Sequence, residues 1–242
     1  MRFPVTLVPG VFVERRNRFV ADVTVDSVPF LAHVPNTGRM RELMVPGHEV
    51  LLRPAADPSC RRTVYDLLMV KYQGHWVGID SRTTPTLAIE AWQAGLLPAL
   101  SPYTHVKREV KLGVSRLDLL LDGPPGLCYV EVKSVNLVED GIALFPDAPT
   151  ERGARHLGEL AAAVRDGHQA AAVFIVQRDD ATALAPLESA DPVFANALRQ
   201  AAEAGVGVYA IACETTSEGQ TPLRQVPVLL EQPATVGQGR SL

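Results

Sequence analysis

Cysteine is scarce in this chain. Cys60, Cys128 and Cys213 are three in number, far apart, and show none of the CxxC or His-paired spacings of a zinc site. They read as reduced, structural residues. Also missing is any N-terminal stretch joining a basic region to an apolar core and a small-residue cleavage site, and no apolar run approaches the roughly 18 residues of a membrane span. A cytoplasmic protein with no membrane partner is the expectation. There is no internal repeat and no excess of positive charge. Lys and Arg number 23 against 27 Asp and Glu, a formal net charge of −4, which excludes holding nucleic acid by bulk charge alone. Any such binding must be local.

What is present is ordinary globular material: 47% apolar and 21% charged residues in a 242-residue chain, enough for two modest domains. The cations cluster, in Glu14-Arg15-Arg16-Asn17-Arg18, Arg39-Met40-Arg41, Arg61-Arg62 and Lys107-Arg108, and can build one positive face on an acidic protein.

Up to about Asp80 the chain is rich in valine, proline and glycine. Short apolar stretches at Leu7 to Val13, Phe19 to Val25, Glu49 to Leu52 and Tyr65 to Tyr72 predict a small all-β barrel or sandwich. The texture changes near Ser81 to Pro85. Thr86 to Ala94 has helical character, and beyond it the pattern predicts strands at about 105–112, 115–122 and 127–135, a helix at 151–166, a strand at 170–176, a helix at 191–204 and a strand at 206–212. This gives an α/β class with an N-terminal all-β domain: 1–82 β-barrel, 83–230 α/β domain, 231–242 flexible tail. In the helix after Thr150, Ala154, Leu157, Leu160, Ala161 and Val164 recur at helical spacing and Arg152, Arg155, His156 and Glu159 fall elsewhere. Ala170 to Val176 is a continuous apolar run, as expected of a strand covered on both faces.

Chemistry concentrates at Asp118, Glu131 and Lys133. The segments Arg116 to Asp122 and Cys128 to Lys133 flank Gly123-Pro124-Pro125-Gly126, a turn too short for anything but an antiparallel hairpin. Centred between the prolines, it places Asp118 opposite Glu131, Arg116 opposite Lys133, Leu119 opposite Val130 and Leu117 opposite Val132. One face is then apolar and the other charged, with the Asp118 and Glu131 carboxylates roughly 5 Å apart. Two such carboxylates repel unless a cation lies between them, and a hard oxygen-ligand ion, Mg²⁺ or Mn²⁺, meets that need with the Val132 carbonyl as a further ligand. A metal lowers the pKa of water and polarises a phosphoryl group, while Lys133 orients the attacking water and stabilises developing charge. The chemistry indicated is phosphodiester hydrolysis. The same pattern, read blandly, is an exposed salt-bridged sheet face.

Additional candidates are Glu109, opposite Asp118 if the preceding turn is Gly113-Val114, Glu90 in the leading helix, Gln177 and Arg178 at a strand end, and Arg152 and His156 on their helix. For the latter two a solvated helix face is the favoured reading. In the first domain Arg15, Arg16, Arg18, Arg39 and Arg41 are candidate phosphate contacts, and His33 and Asn36 candidate base or sugar contacts. The alternative for His33 to Met40 is a structural loop around Asn36-Thr37-Gly38. Phe12 and Phe19 read as core or as rings that stack on bases.

Asp on a second strand and Glu-x-Lys on a third resemble the PD-(D/E)xK nuclease superfamily, with Leu117 where that motif usually has Pro. Longer strings are more specific: Arg18 to Val23, His33 to Met40, Ser115 to Asp118, Tyr129 to Val135, Phe145 to Ala148 and Arg152 to Leu157. Together they resemble the sugar fermentation stimulation (SfsA) family across nearly the whole chain. The resemblance implies an OB-like barrel followed by a restriction-endonuclease-like α/β domain. It also implies a DNA partner, with RNA as an alternative, and a nuclease-like site on Asp118, Glu131 and Lys133. A non-catalytic DNA-binding regulator retaining the nuclease fold is the competing reading.

Overall fold

The computed structural model describes residues 1–57 and 61–231. Cys60 and nearly all of the expected flexible tail fall outside them. The first half forms β1 (Val8–Asn17), β2 (Val20–Val25), β3 (Val28–His33), β4 (Glu49–Pro54), β5 (Tyr65–Tyr72) and β6 (His75–Gly78). These make a sheet of order β3-β2-β1-β4-β5-β6, which a parallel pairing of β3 with β5, Ala32 against Tyr65 and His33 against Asp66, curls into a barrel. Alternation builds it: Ala21, Val23 and Val25 of β2 point inward to Phe12, Leu52, Leu67 and Val70. Asp26 and Ser27, both at positive φ (49° and 65°), form the two-residue turn from β2 to β3. Neither β3 nor β6 was expected from the sequence pattern. β3 is half-exposed and carries Pro29, and β6 has four residues, too few to show a period.

The second half begins with α1 (Thr84–Gln93) and continues through β7 (His105–Leu112), β8 (Ser115–Gly123), β9 (Gly126–Val135), β10 (Val138–Glu139), β11 (Ile142–Phe145), α2 (Glu151–Arg165), β12 (Gln169–Val176), β13 (Ala183–Pro186), α3 (Pro192–Glu203), β14 (Gly207–Thr216) and β15 (Gly219–Val226). The six-stranded sheet runs β15-β14-β12-β9-β8-β7, with β9, β12 and β14 parallel and the outer strands antiparallel. β10, β11 and β13 form a small separate sheet. These three strands and β15 were not foreseen. Three of them have four residues or fewer, and β15 is an edge strand carrying Pro222.

Helices cover both faces. Leu87 and Ala91 of α1 pack with Leu119, Leu121, Val130, Val132 and Val173; Leu157 and Leu160 of α2 and Leu198 of α3 pack with Val135, Phe174 and Val176 on the other side. Burying each of these leucines stabilises the domain by about 2 kcal/mol. β12 lies under both layers, buried from Ala170 to Val176, as its unbroken apolar run implied. The two capped helix starts on that side share a carboxylate. Asp191 Oδ1 accepts from Phe194 N at 2.9 Å as the N-cap of α3, and its Oδ2 accepts from Thr150 N at 2.7 Å, while the Thr150 hydroxyl caps α2 at Gly153 N.

Candidate metal and nucleic-acid site

The turn between β8 and β9 is Pro124-Pro125, and the register begins as expected, with Gly123 opposite Gly126 and Leu119 opposite Val130. There the regular ladder stops. At the next position the Asp118 carboxylate takes the place of backbone: its Oδ2 accepts from Val132 N at 2.8 Å. On the other side of Asp118, the β7–β8 ladder pairs Arg108 with Leu119 and Val110 with Leu117, leaving Glu109 at positive φ (55°) opposite Asp118. The irregularity changes the facing of the strand. Leu119 and Leu121 join the α1 cluster, whereas Leu117 joins the α2 cluster instead of lying beside Val132. The expected division into one apolar and one open charged face is therefore corrected. A ladder break at a carboxylate, which no period-two pattern encodes, resets the alternation, and α2 covers the charged side.

Glu131 is only 5% exposed. Its Oε1 accepts from Lys133 Nζ at 2.6 Å and from His156 at 2.5 Å, while Oε2 is buried with no hydrogen-bond partner. His156, 1% exposed on α2, is thus no solvated helix residue. Arg152 Nε donates to His156 Nε2 at 3.3 Å, so that nitrogen is an acceptor and the proton sits on Nδ1, directed at Glu131. Burial pushes the Glu131 carboxyl up, but the His156 hydrogen bond and the Lys133 ammonium outweigh it and hold Glu131 below its usual range. Asp118 goes the other way. Burial first and the charge of Glu131 second push it up to about 6, against the smaller opposing pull of the Val132 N–H, Lys133 and His156.

Backbone parity adds a third oxygen. The Val135 carbonyl accepts from Gln177 N, on the β12 side of β9. Main-chain groups alternate sides along a strand, so the carbonyls of Glu131 and Lys133 face β12 and that of Val132 faces β8, the side on which Asp118 takes its N–H. The orphaned Glu131 oxygen, the Asp118 carboxylate and the Val132 carbonyl on the β8 side are the candidate oxygen donors here, of the kind a hard divalent cation takes.

The other candidates divide. Glu90 binds the Met1 ammonium at 2.6 Å, and its helix lies on the opposite face of the sheet, so it is not brought to the site. Glu109 points to solvent beside Arg116 at 3.5 Å, because its positive φ turns it away. Gln177 is fully buried, donating to Ser134 Oγ and accepting from Gln220, and Arg178 is buried in a bidentate pair with Asp180. Both are structural junctions. Arg15 cannot serve as a phosphate contact: its guanidinium donates to the carbonyls of Arg18, Asn36, Gly38 and Arg39, the shape of a loop clamp. Arg16 pairs with Asp22, and Asn36 is committed to Ile79 O, Asn136 and Gly38 N. Arg18, Arg39 and Arg41 remain exposed. Phe12 is core, while Phe19 is 51% exposed.

Sequence reasoning missed two groups. Arg53, Arg61 and Arg82 converge on Asp66 at 2.6, 2.7 and 3.3 Å, with His33 also at 3.3 Å. Burial pushes Asp66 up, but hydrogen bonds from Arg53 and Arg61 and the charges of Arg61 and Arg82 outweigh it and hold the carboxyl far below its ordinary range. The second group is His75, Asp179 and Asp180, whose ligand atoms lie within 4.8 Å of one another, a cluster compact enough for a cation. Both Asp180 oxygens are already neutralised by Arg178 at 2.6 and 2.5 Å, which disfavours a second positive charge there. Neither group had a local signal, since strand pairing joins residues far apart in sequence.

A closed β-barrel joined to a helix-covered mixed sheet, with Asp118 on one central strand and Glu131-x-Lys133 on the next, places the protein in the class that couples an OB barrel to a restriction-endonuclease-like domain. Two family models divide the chain accordingly, one described as the SfsA N-terminal OB domain over residues 13–79 and one as the sugar fermentation stimulation protein RE domain over residues 82–219. The chain belongs to the sugar fermentation stimulation protein family. Homologues from Desulforamulus reducens (45% identical, covering 93% of each chain) and Moorella thermoacetica (46%, covering 88% of this chain and 92% of the relative) carry that family name. The solved structure of Pyrococcus furiosus SfsA in complex with Ca²⁺ is 35% identical, covers 95% of this chain and 98% of its own, and superposes with a TM-score of 0.86. Among the described residues, no helix is long and apolar enough to cross a membrane.

Proposed function

We propose that this protein is a divalent-metal-dependent nuclease acting on DNA, with the reacting phosphate held at Asp118, Glu131 and Lys133. The observation that carries the reading is the Glu131 carboxylate: one oxygen is fixed by His156 and Lys133, the other is buried without a partner, and its charge, after burial, helps push the nearby Asp118 up to about 6. A buried carboxylate oxygen without a partner is costly because its lost hydration is uncompensated; Glu42 and Glu159 share that feature, and Glu131 differs in lying beside a second buried acid and Lys133. The Ca²⁺ in the Pyrococcus relative's structure supports a cation of this class, and the oxygen donors suit Mg²⁺ or Mn²⁺.

Asp118, Glu131 and the Val132 carbonyl would hold the ion. When bound, it supplies Lewis-acid polarisation of a phosphoryl oxygen and makes water easier to deprotonate. The protein's own groups do the rest. His156 fixes Glu131 through Nδ1–H and is itself held by Arg152. Lys133, 2.6 Å from Glu131, would be placed to donate to the attacking water or to a non-bridging phosphate oxygen. Arg18, Arg39 and Arg41 on the barrel offer charge for the flanking phosphates.

The test is degradation of single- and double-stranded DNA and RNA by purified protein in Mg²⁺ or Mn²⁺. Glu131→Gln and Lys133→Ala are each expected to reduce the rate by about a hundredfold or more while the fold survives by circular dichroism. No cleavage of any substrate with either ion, or cleavage unchanged in both variants, overturns the reading.

A further inference from the structure

A cleft of about 310 Å³ lies where the barrel meets the second domain. One wall is the barrel's Arg18 and Asn36-Thr37-Gly38; the other is the end of β9 at Ser134 and Val135, the following Asn136 and Leu137, and the segment from Leu144 to Thr150. Its lining includes chain neighbours of the proposed catalytic group. Ser134 follows Lys133 on β9, and Thr150 is the N-cap of α2, the helix that carries Arg152 and His156.

The walls are rigid. Asn36 Nδ2 donates to Ile79 O and Asn136, Asn136 donates to Gly78 O, and the Ser81 hydroxyl donates to Pro35 O. Gly38 has no room for a Cβ, which would meet the Asp147 carboxylate at 2.8 Å. Their chemistry is mixed. The partly exposed Phe145 ring, held edge-on by Phe174 and Phe194, gives an apolar surface, Thr37 is an exposed hydroxyl, and Arg18 stands exposed at the rim. Asp147 uses Oδ2 to accept from Met40 N, which leaves Oδ1 for another donor.

We infer that this cleft takes one unpaired nucleotide of the strand being cut, so that the protein acts on single-stranded or locally opened nucleic acid. The inference rests on the nuclease reading above and names its substrate class. Ligand pockets begin at roughly 300 Å³, so the space matches one nucleotide-sized group. A paired base cannot enter without leaving its stack, whereas an unpaired one presents both a face for apolar contact and an edge for hydrogen bonds. Asp147 Oδ1 would accept from an exocyclic amino or ring N–H, and Arg18 would meet the adjoining phosphate. A neutral metabolite would leave Arg18 without a role, and a duplex would leave the cleft empty.

Binding of a fluorescent single-stranded oligonucleotide and of a blunt hairpin duplex of equal length, followed by anisotropy in Ca²⁺, tests this. The single strand is expected to bind at least about tenfold more tightly. Thr37→Trp, an exposed position where a large ring fills the cleft, is expected to abolish that preference without changing duplex affinity, the melting temperature or the cation-induced rise in melting temperature. Equal wild-type affinities for the two probes, or a Thr37→Trp protein that keeps the preference, overturns the inference while the nuclease reading stands. Binding of neither probe overturns both.

Discussion

At the scale of single residues, Asp118 couples stability to pH and, on the proposed function, to a bound cation. Its folded-state pKa, about 6, lies above that of the unfolded chain, so the native state holds the extra proton between roughly pH 4 and 6. Its contribution is therefore favourable at acid pH and is lost as pH rises through that window. Asp118→Asn keeps an acceptor for the Val132 N–H and removes the charge that opposes Glu131. In metal-free buffer at about pH 8 it is expected to stabilise the protein by roughly 1 to 2 kcal/mol in urea unfolding. Added Mn²⁺ is expected to raise the wild-type melting temperature and to leave that of the variant nearly unchanged. Legibility at this scale was uneven. Asp118, Glu131 and Lys133 could be brought together on paper because a two-residue turn fixes the hairpin register. His156 was weighed as a surface residue because helical spacing separates apolar from polar positions and does not distinguish a polar side chain turned to solvent from one turned to a buried acid.

Among the elements, α2 determines whether Glu131 is correctly held, and its start depends on two caps. Thr150→Ala removes one hydroxyl acceptor and is expected to cost about 1 kcal/mol. Asp191→Ala removes the cap of α3 and the acceptor for Thr150 N together, so an expected loss of about 2 kcal/mol or more in chemical unfolding exceeds it. An equal cost for the two variants would show that the shared carboxylate does not join the two helix starts. Most long periodic elements were readable to within a residue or two, as β7 and α2 are, where alternation and the Gly167 stop placed them, whereas β1 and β14 run four residues past the expected ends into polar sequence. The short strands β6, β10, β11 and β13 were not, since two to four residues carry no period, and their positions are set by pairing partners that the sequence does not name.

On the scale of the whole molecule, the two halves meet through directed polar contacts. Asn136 reaches Gly78, Asn36 reaches Asn136, Gly78 N donates to Gln177 O, and Arg178 lies over the Tyr72 ring at 5.7 Å. Such a junction makes barrel and sheet unfold together, and a single calorimetric transition is expected for the wild type. Asn136→Ala, which leaves the Gly78 carbonyl without its donor, is expected to broaden or split that transition. A sharp, unshifted transition in this variant would mean the coupling lies elsewhere. The change of texture near residue 82 showed that two units exist. It could not show how they face one another, because the junction is built from asparagine, glutamine and arginine side chains that look like surface residues when read one at a time.

The bond from the Val132 amide to Asp118 also gives the site a built-in reporter. An amide proton shared with a carboxylate resonates downfield of its neighbours and is sensitive to whatever that carboxylate binds. In a ¹⁵N-edited spectrum the Val132 peak should move as Asp118 takes up a proton near pH 6 and move differently as Mg²⁺ is titrated in, with no oligonucleotide in the tube. Occupancy of the site can thus be followed at a single backbone nitrogen, before any substrate is known.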